Sequence, residues 1–194
     1  MIEQDRYNLP VETARLFLRR VQPGDERALF EIYGDQDNAE FEFFSAWTFD
    51  QTCDLVQTQC FVSPGDPGVA FFLAAIERAS QVLIGSVQVT ILDPEDGQAE
   101  LGFSFNRRYC GRGYATEAVN AALGYAFNSM DLHRIYAGVD SRNERSWKLM
   151  ERVGMRREAH FVHANRSGDQ WLDDYTYAML EHEWQEDVSR NQRM

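Results

Sequence analysis

The sequence contains a single lysine, Lys148, among 19 basic residues. A nucleoside-triphosphate loop needs lysine directly after its glycines, and that arrangement is missing. Cysteine is also scarce, with three in 194 residues. An odd count argues against a disulfide framework and points to a reducing cytoplasm. The longest apolar runs, Val69–Ile76 and Val82–Leu92, fall well short of the ~20 residues that cross a bilayer. Met1–Asn8 is polar, so no basic-then-apolar leader is read there. Positive charge is in deficit, 19 basic against 31 acidic residues for a net −12, which disfavours nucleic acid or anionic membrane as partners.

The charge that is present is unevenly spread. Between Arg107 and Arg157, nine arginines and one lysine stand against only five acids. A basic stretch inside an acidic chain suggests a local anion site. The length suits one domain of about 150 residues with short extensions, or at most two small ones.

Punctuation and periodicity divide the chain. Arg15–Val21 reads as a strand between Pro10 and Pro23-Gly24. Asp25–Tyr33 has helical spacing and stops at Gly34, and Thr48 or Asp50 is placed to cap a helix running to about Phe61. Cys53 and Cys60, seven apart, are expected to share a buried face of that helix. Val69–Glu77 and Val82–Leu92 form a hairpin, and Ala99–Asn106 is a further strand. The order then becomes helix (Gly113–Phe127), strand (Arg134–Val139), helix (Asn143–Val153) and a closing hairpin of Met155–Ala164 and Trp171–Leu180. Glu186–Met194 is expected to fray. These elements predict an α+β domain with a mixed sheet of about seven strands.

The most specific segment is Arg108-Tyr109-Cys110-Gly111-Arg112-Gly113-Tyr114-Ala115, lying between a predicted strand and a predicted helix. A glycine turn there aims successive backbone N–H groups into one cavity, and the helix N-terminus adds partial positive charge. With Arg108 and Arg112 it reads as a diphosphate receptor. A dinucleotide fingerprint is excluded, because the third glycine is absent and the loop follows the fourth strand rather than the first.

Arg108, Gly111 and Gly113 fill the pattern Arg/Gln-x-x-Gly-x-Gly/Ala, which resembles the acetyl-CoA loop of the GNAT superfamily of N-acetyltransferases. Thr13–Arg19, Glu100-Leu101-Gly102-Phe103, Gly113–Ala118 and Asn143-x-x-Ser146 with Val153-Gly154-Met155 resemble its RimJ/RimL-type branch, in that order along the chain. The resemblance implies a mostly antiparallel sheet whose fourth and fifth strands splay, with about four helices. It implies acetyl-CoA as cosubstrate and no metal. The pantetheine arm would pair with Phe103, Ser104 and Phe105, the diphosphate would sit on amides from Cys110 to Ala115, including Tyr114, and Asn143 would hold the pantetheine or acetyl end.

The implied reaction is acetyl transfer to an amine, on a peptide or protein N-terminus first and a small amine such as a polyamine, aminoglycoside or amino-acid conjugate second. An acyl-CoA-binding module without catalysis is the rival. Many members carry a tyrosine where Met150 stands, so Ser146, one turn earlier, is the candidate proton donor. Glu100 is the candidate base, since strand alternation sets it with Gly102 and Ser104 on one face. The acceptor is expected between Asp35–Thr48 and the final hairpin, with Asp37, Phe41, Trp47 and Trp171 as contacts and Glu40, Glu42, Phe44, Asp173 and Asp174 nearby. Cys110 lacks a neighbouring base that would make it a nucleophile. His160 and His163, three apart on a strand, are expected on opposite faces, which speaks against a metal pair. His133 is read as a helix-end cap. The protein is expected to be a monomer or homodimer.

Overall fold

A computed structural model describes residues 8–41 and 45–191. Its strands are β1 (Val11–Glu12), β2 (Leu16–Arg20), β3 (Ala70–Glu77), β4 (Leu83–Asp93), β5 (Gln98–Phe105), β6 (Arg134–Asp140), β7 (Arg156–Ser167) and β8 (Gln170–Leu180). They form one sheet in the order β1-β2-β3-β4-β5-β6-β8-β7. Eight strands replace the expected seven because the two-residue β1 pairs with β2. Six helices are described rather than about four: α1 (Glu26–Tyr33), α2 (Gln36–Ala39), α3 (Phe49–Gln59), α4 (Tyr114–Ser129), α5 (Glu144–Arg152) and α6 (Glu181–Asn191). The class is the expected mixed, mostly antiparallel α+β fold.

α6 corrects the expectation of a frayed end from Glu186, at least as far as Asn191. Its Trp184 stacks on Phe127 of α4, with ring centroids 6.3 Å apart. Gly124 makes the approach possible, since a Cβ there would lie 2.9 Å from the indole. The start of α3 follows the sequence closely. Thr48 accepts from the Gln51 amide while Gln51 returns a bond to the Thr48 amide, a capping box.

Two apolar clusters lie on opposite faces of the sheet. Leu29, Ile32 and Tyr33 of α1 and Val56 of α3 cover one face over β2–β4, against Phe72, Ala74 and Ile76. Ala118, Val119, Ala122 and Leu123 of α4 and Leu149 and Met150 of α5 cover the other face along most of its width. Each fully buried Leu, Ile or Met contributes roughly 1.5–3 kcal/mol. α3 turns Thr52, Val56 and Gln59 inward. Cys53 and Cys60 therefore share the outward side, half-buried and exposed, contrary to the expected burial.

The face carrying α1 and α3 stays open beyond β5. Glu100 and Gly138 are exposed there, and Gly102, Ser104, Tyr136 and Thr176 are half-buried. β5 and β6 pair in parallel only from Gln98 opposite Arg134 to Glu100 opposite Tyr136. Past that point β5 stays with β4 and β6 stays with β8, so the two strands part as expected.

Glu117 ties the first turn of α4 to the start of the chain. It accepts from the Thr13 hydroxyl at 2.6 Å, the Arg15 amide at 2.7 Å and the Arg15 guanidinium at 2.6 Å. Burial alone raises its pKa, but these three donors together outweigh burial and lower it below the ordinary 4.5. A carboxylate depressed in this way stabilises the fold fully above its unfolded pKa, and the contribution fades as pH falls through the folded value. Glu117→Gln is expected to cost about 1.5–3 kcal/mol at pH 7. Thermal melts should show the gap between variant and parent closing as pH drops below 4.5.

Candidate active site

The parting of β5 and β6 leaves backbone groups without ladder partners. Asn106 donates its amide to the Ile84 carbonyl of β4 at 2.9 Å. Antiparallel alternation therefore turns the N–H and C=O of Phe105 and Phe103 away from β4 and toward the gap, and the C=O of Leu101 with them, its N–H being taken by Tyr136 in the last parallel bridge. Ser104, in register with Ser86, instead directs its backbone to β4, which corrects its expected place in the gap. The Phe105 carbonyl is already taken by the Asn38 amide at 3.2 Å. Leu101, unmarked by the sequence, joins Phe103 as a gap-facing residue.

At the end of β5 the chain makes a short 3-10 turn, Arg107–Tyr109, capped by the Asn106 side chain on the Arg108 amide. The Cys110 amide bonds the Arg107 carbonyl at 3.1 Å, so it is not a free donor as expected. Gly111 and Gly113 then adopt φ of 76° and 80°. Only glycine enters this left-handed region without strain. Among the described residues, the N–H groups from Gly111 to Thr116 meet no acceptor, and the Gly113 cap position has no side-chain bond. Five consecutive donors from Gly111 to Ala115 thus point outward at a helix N-terminus. This arrangement fits an anion such as a diphosphate.

The side chains around the loop have different tasks. Arg15 bonds the Arg112 carbonyl at 2.8 Å and lies over the Tyr114 ring at 4.5 Å, fixing the turn from β2. The Tyr114 hydroxyl bonds Glu77, so that ring is structural and only its amide faces the site. Arg112 lies over Tyr109 at 5.9 Å. Arg108 is mostly exposed and reaches Glu31 at 3.8 Å. Arg107 pairs with Asp37 and lies 3.9 Å from Asp35.

Asn143 caps α5 by accepting the Ser146 amide at 3.1 Å. Its acceptor oxygen is therefore occupied, and its amide N–H2 remains to meet a ligand. Ser146 is half-buried with a hydroxyl that bonds no described group, one turn before the fully buried Met150.

On the open face, Glu100 sits at the last paired position before the gap. Protein packed around its carboxyl raises its pKa above 4.5, although the residue retains an exposed edge. Tyr136, directly opposite on β6, was not singled out by sequence. Burial and the nearby Glu100 charge raise its pKa above 10.0, against a smaller opposing effect of Arg134. Alternation along Arg134–Val139 places Tyr136 on one face, but only the strand register reveals its neighbour. Further along, Asp140 is held by Arg142 at 2.6 Å. Asp174 stands opposite it on β8 and bonds Asn165, while its Oδ1 is buried with no hydrogen-bond partner. Burial, then the charges of Asp140 and Asp173, raise the Asp174 pKa against the lowering effect of Asn165.

The expected acceptor contacts do not all converge. Phe41 lies 5.9 Å beneath the Arg142 guanidinium, at the edge of this face. Asp37 is committed to Arg107. Trp47 stacks on Tyr33 at 4.7 Å and belongs to the α1/α3 cluster. Trp171 is exposed near the hairpin tip, opposite Arg166 and past the end of β6, away from Glu100. Glu42 and Phe44 lie outside the described residues. His160 and His163 are not simply on opposite faces, because β7 bulges between Phe161 and Asn165. The His160 ring and the His163 amide both bond Asp173, at 2.9 Å each. No group of three or more His, Cys, Asp or Glu able to hold a metal occurs among the described residues. At the end of α4, His133 bonds Gly97 and Glu181 through its backbone, so it links elements rather than capping the helix.

A splayed strand pair, a run of unbonded amides at the start of α4 and an asparagine cap at the start of α5 thus follow from the fold. The family model of the acetyltransferase (GNAT) domain matches residues 15–156. The chain belongs to this family. It is an acetyl-CoA-dependent N-acetyltransferase, with acetyl-CoA as cosubstrate. The uncharacterised N-acetyltransferase YnaD of Bacillus subtilis is 33% identical over 90% of this chain and 98% of its own length. A solved GNAT acetyltransferase from Bacillus anthracis has 30% identity and a TM-score of 0.79, covering 90% of this chain and 99% of that one. Two more distant relatives have named acceptors. The spermidine N(1)-acetyltransferase of Vibrio cholerae is 27% identical over 77% of this chain and 83% of its own. The alanine N-acetyltransferase of ribosomal protein uS5 from Escherichia coli is 26% identical over 60% of this chain and 61% of its own.

The surroundings of Glu100 carry a direct test. An NMR titration of side-chain carboxyls should give Glu100 a midpoint above the ordinary 4.5. That resonance should vanish in Glu100→Gln, and an ordinary midpoint would show that its carboxyl is fully hydrated.

Proposed function

We propose that this acetyltransferase acts on the N-terminal α-amine of a peptide or protein, in the manner of the RimJ/RimL-type branch. The observation that carries this reading is how the acids near the cleft are paired. Glu31, Asp35, Asp37 and Asp140 each have an arginine partner. Glu100 and Asp174 have no cationic partner among the described residues. Asp174 stands opposite Asp140, four residues along β6 from Tyr136, so Glu100 is the unpaired acid at the inner end of the gap. A polyamine is held best by several uncompensated carboxylates close together, whereas a single α-amine needs one. The open face over β5–β8 also suits an extended chain entering from the side.

In this reading the diphosphate rests on the amides of Gly111 to Ala115, with Arg108 and Arg112 adding charge. The pantetheine arm runs along β5, meeting the backbone of Phe103 and Leu101. At about 3.3 Å per residue, Leu101–Phe105 gives it a track of roughly 15 Å that ends beside Glu100. Asn143 contributes its amide N–H2 to the arm or the acetyl end. Glu100 takes the amine proton, directly or through water, as the amine attacks the acetyl carbonyl. Ser146, half-buried on α5, protonates the departing sulfur.

Two variants and one assay test this. Thiol release from acetyl-CoA is expected with α-amino peptides and to be weaker with spermidine or aminoglycosides; the reverse order would make the acceptor a small amine. Glu100→Gln should lower kcat by about 10²-fold or more while acetyl-CoA binding is unchanged. The acid limb of the pH–rate profile, lost as Glu100 protonates, should disappear with it.

Gly111→Asp should abolish CoA binding in calorimetry without lowering the melting temperature by more than the modest strain of φ 76° requires. A Cβ at Gly111 meets nothing within 4 Å, so lost binding would report repulsion of the diphosphate rather than a broken fold. Normal CoA affinity in this variant would displace the diphosphate from the loop.

A further inference from the structure

We propose that Tyr136 and Glu100 together hold both N–H bonds of a primary amine, making the enzyme selective for primary over secondary amine acceptors. The inference rests on the reading of Glu100 as proton acceptor and names the acceptor's chemical class more closely.

Glu100 and Tyr136 are opposite one another on parallel strands, at the last paired position before β5 and β6 part. Neighbouring strands lie about 4.8 Å apart, and alternation sets both side chains on the open face. Gly138 flanks Tyr136 on the side of the gap and Ala178 stands opposite it on β8, so no long side chain fills the space there. Arg134, two residues earlier on β6, is occupied by Glu158 at 3.0 Å and cannot serve as the partner of Glu100. Neither the Glu100 carboxyl nor the Tyr136 hydroxyl makes a hydrogen bond to a described group. Two polar side chains therefore stand side by side at the inner end of the gap, neither bonded to a described group.

A neutral primary amine has one lone pair and two N–H bonds. As the lone pair forms the N–C bond to the acetyl carbon, the C–S bond breaks and its electrons leave on sulfur. One N–H proton passes to Glu100. The other stays on nitrogen as the amide N–H of the product, and the Tyr136 oxygen accepts its hydrogen bond throughout. A secondary amine has only one N–H, which Glu100 requires, so the Tyr136 contact is lost and a substituent is pushed toward the phenol.

The test is the ratio of kcat/KM for a primary amine to that for its N-methyl analogue. The parent enzyme should favour the primary amine by tenfold or more. Tyr136→Phe keeps the ring, so the melting temperature and the KM for acetyl-CoA should hold. The primary amine should lose about tenfold in kcat/KM and the N-methyl analogue little, collapsing the ratio. Tyr136→Gln, which restores an acceptor oxygen, should recover part of it. An unchanged ratio, or equal losses on both amines, would overturn the role of Tyr136 while leaving acetyl transfer intact. A parent enzyme that binds acetyl-CoA and acetylates no amine would overturn the reading beneath it as well.

Discussion

Three parallel residue pairs hold the two halves of this sheet together, and the active cleft exists because there are only three. β4 holds β5 along its length, and β8 holds β6 along its length. Neither strand can bend toward the other without breaking an antiparallel ladder. Buried backbone donors and acceptors must find partners. A gap lined by unpaired N–H and C=O groups therefore calls for an extended, amide-bearing ligand. The halves stay in one piece because α4 and α5 lay a continuous apolar layer behind the seam. In that layer Leu123, Ile135, Met150 and Tyr177 are all fully buried. Rigidity comes from one face, and access is left to the other.

The loop at the mouth of the gap is held from two sides. Arg15 grips the Arg112 carbonyl while Glu117 grips Arg15 and Thr13, so the first strands and the start of α4 move as a unit. On the other side, Arg107 is paired with Asp37 on α2, and Arg108 reaches Glu31 on α1. α2 begins the segment that leads to Phe41 and the acceptor face. The glycine loop and helices α1 and α2 are thereby joined through ion pairs at the surface, each worth at most about 1 kcal/mol. Contacts this weak can be exchanged for a diphosphate at little cost. That suits Arg108, the most exposed of these side chains.

What could be read from the sequence depended on whether the signal was local. Gly111 and Gly113 mark a left-handed turn, and Thr48 with Gln51 writes out its own capping box. Glu100 could be set on one face with Gly102 because strand alternation is a property of one segment. The face of α3 was misjudged because Cys53 and Cys60 resemble core residues in type, while Thr52 and Gln59, polar by composition, are the ones turned inward. The Gln59 amide is satisfied there by the Ala70 carbonyl at 2.8 Å. Tyr136 could not be linked to Glu100, because the register between two strands separated by a helix is not written in either of them. The same limit hid the claim of Asn38 on the Phe105 carbonyl. Trp47 and Trp171 looked alike as aromatic acceptor contacts, yet one is stacked against the core and the other stands near a hairpin tip.

The replacement of the familiar tyrosine by Met150 bears on which proton transfer limits the reaction. A thiolate with a pKa near 8.5, typical of a free thiol, leaves with modest help from an acid. Losing a strong donor near the sulfur is therefore tolerable, and Met150 serves the core instead. Removing the amine proton is the harder step, and its difficulty depends on the acceptor. An α-amine with a pKa of about 7.7–8.0 is roughly a tenth neutral at pH 7, whereas an alkyl amine near 10.4 is neutral to less than about one part in a thousand. In the proposed reading Glu100 receives that proton; burial raises its pKa but leaves a carboxylate a far weaker base than an alkyl amine. On that reading, a site with Glu100 and the Tyr136 hydroxyl at its inner end, and the unpaired Asp174 four residues further along, is matched to an amine that reaches it neutral. An N-terminal α-amine, the acceptor proposed, meets that condition in about a tenth of its molecules at pH 7, and the alkyl amines of a polyamine in less than about one in a thousand.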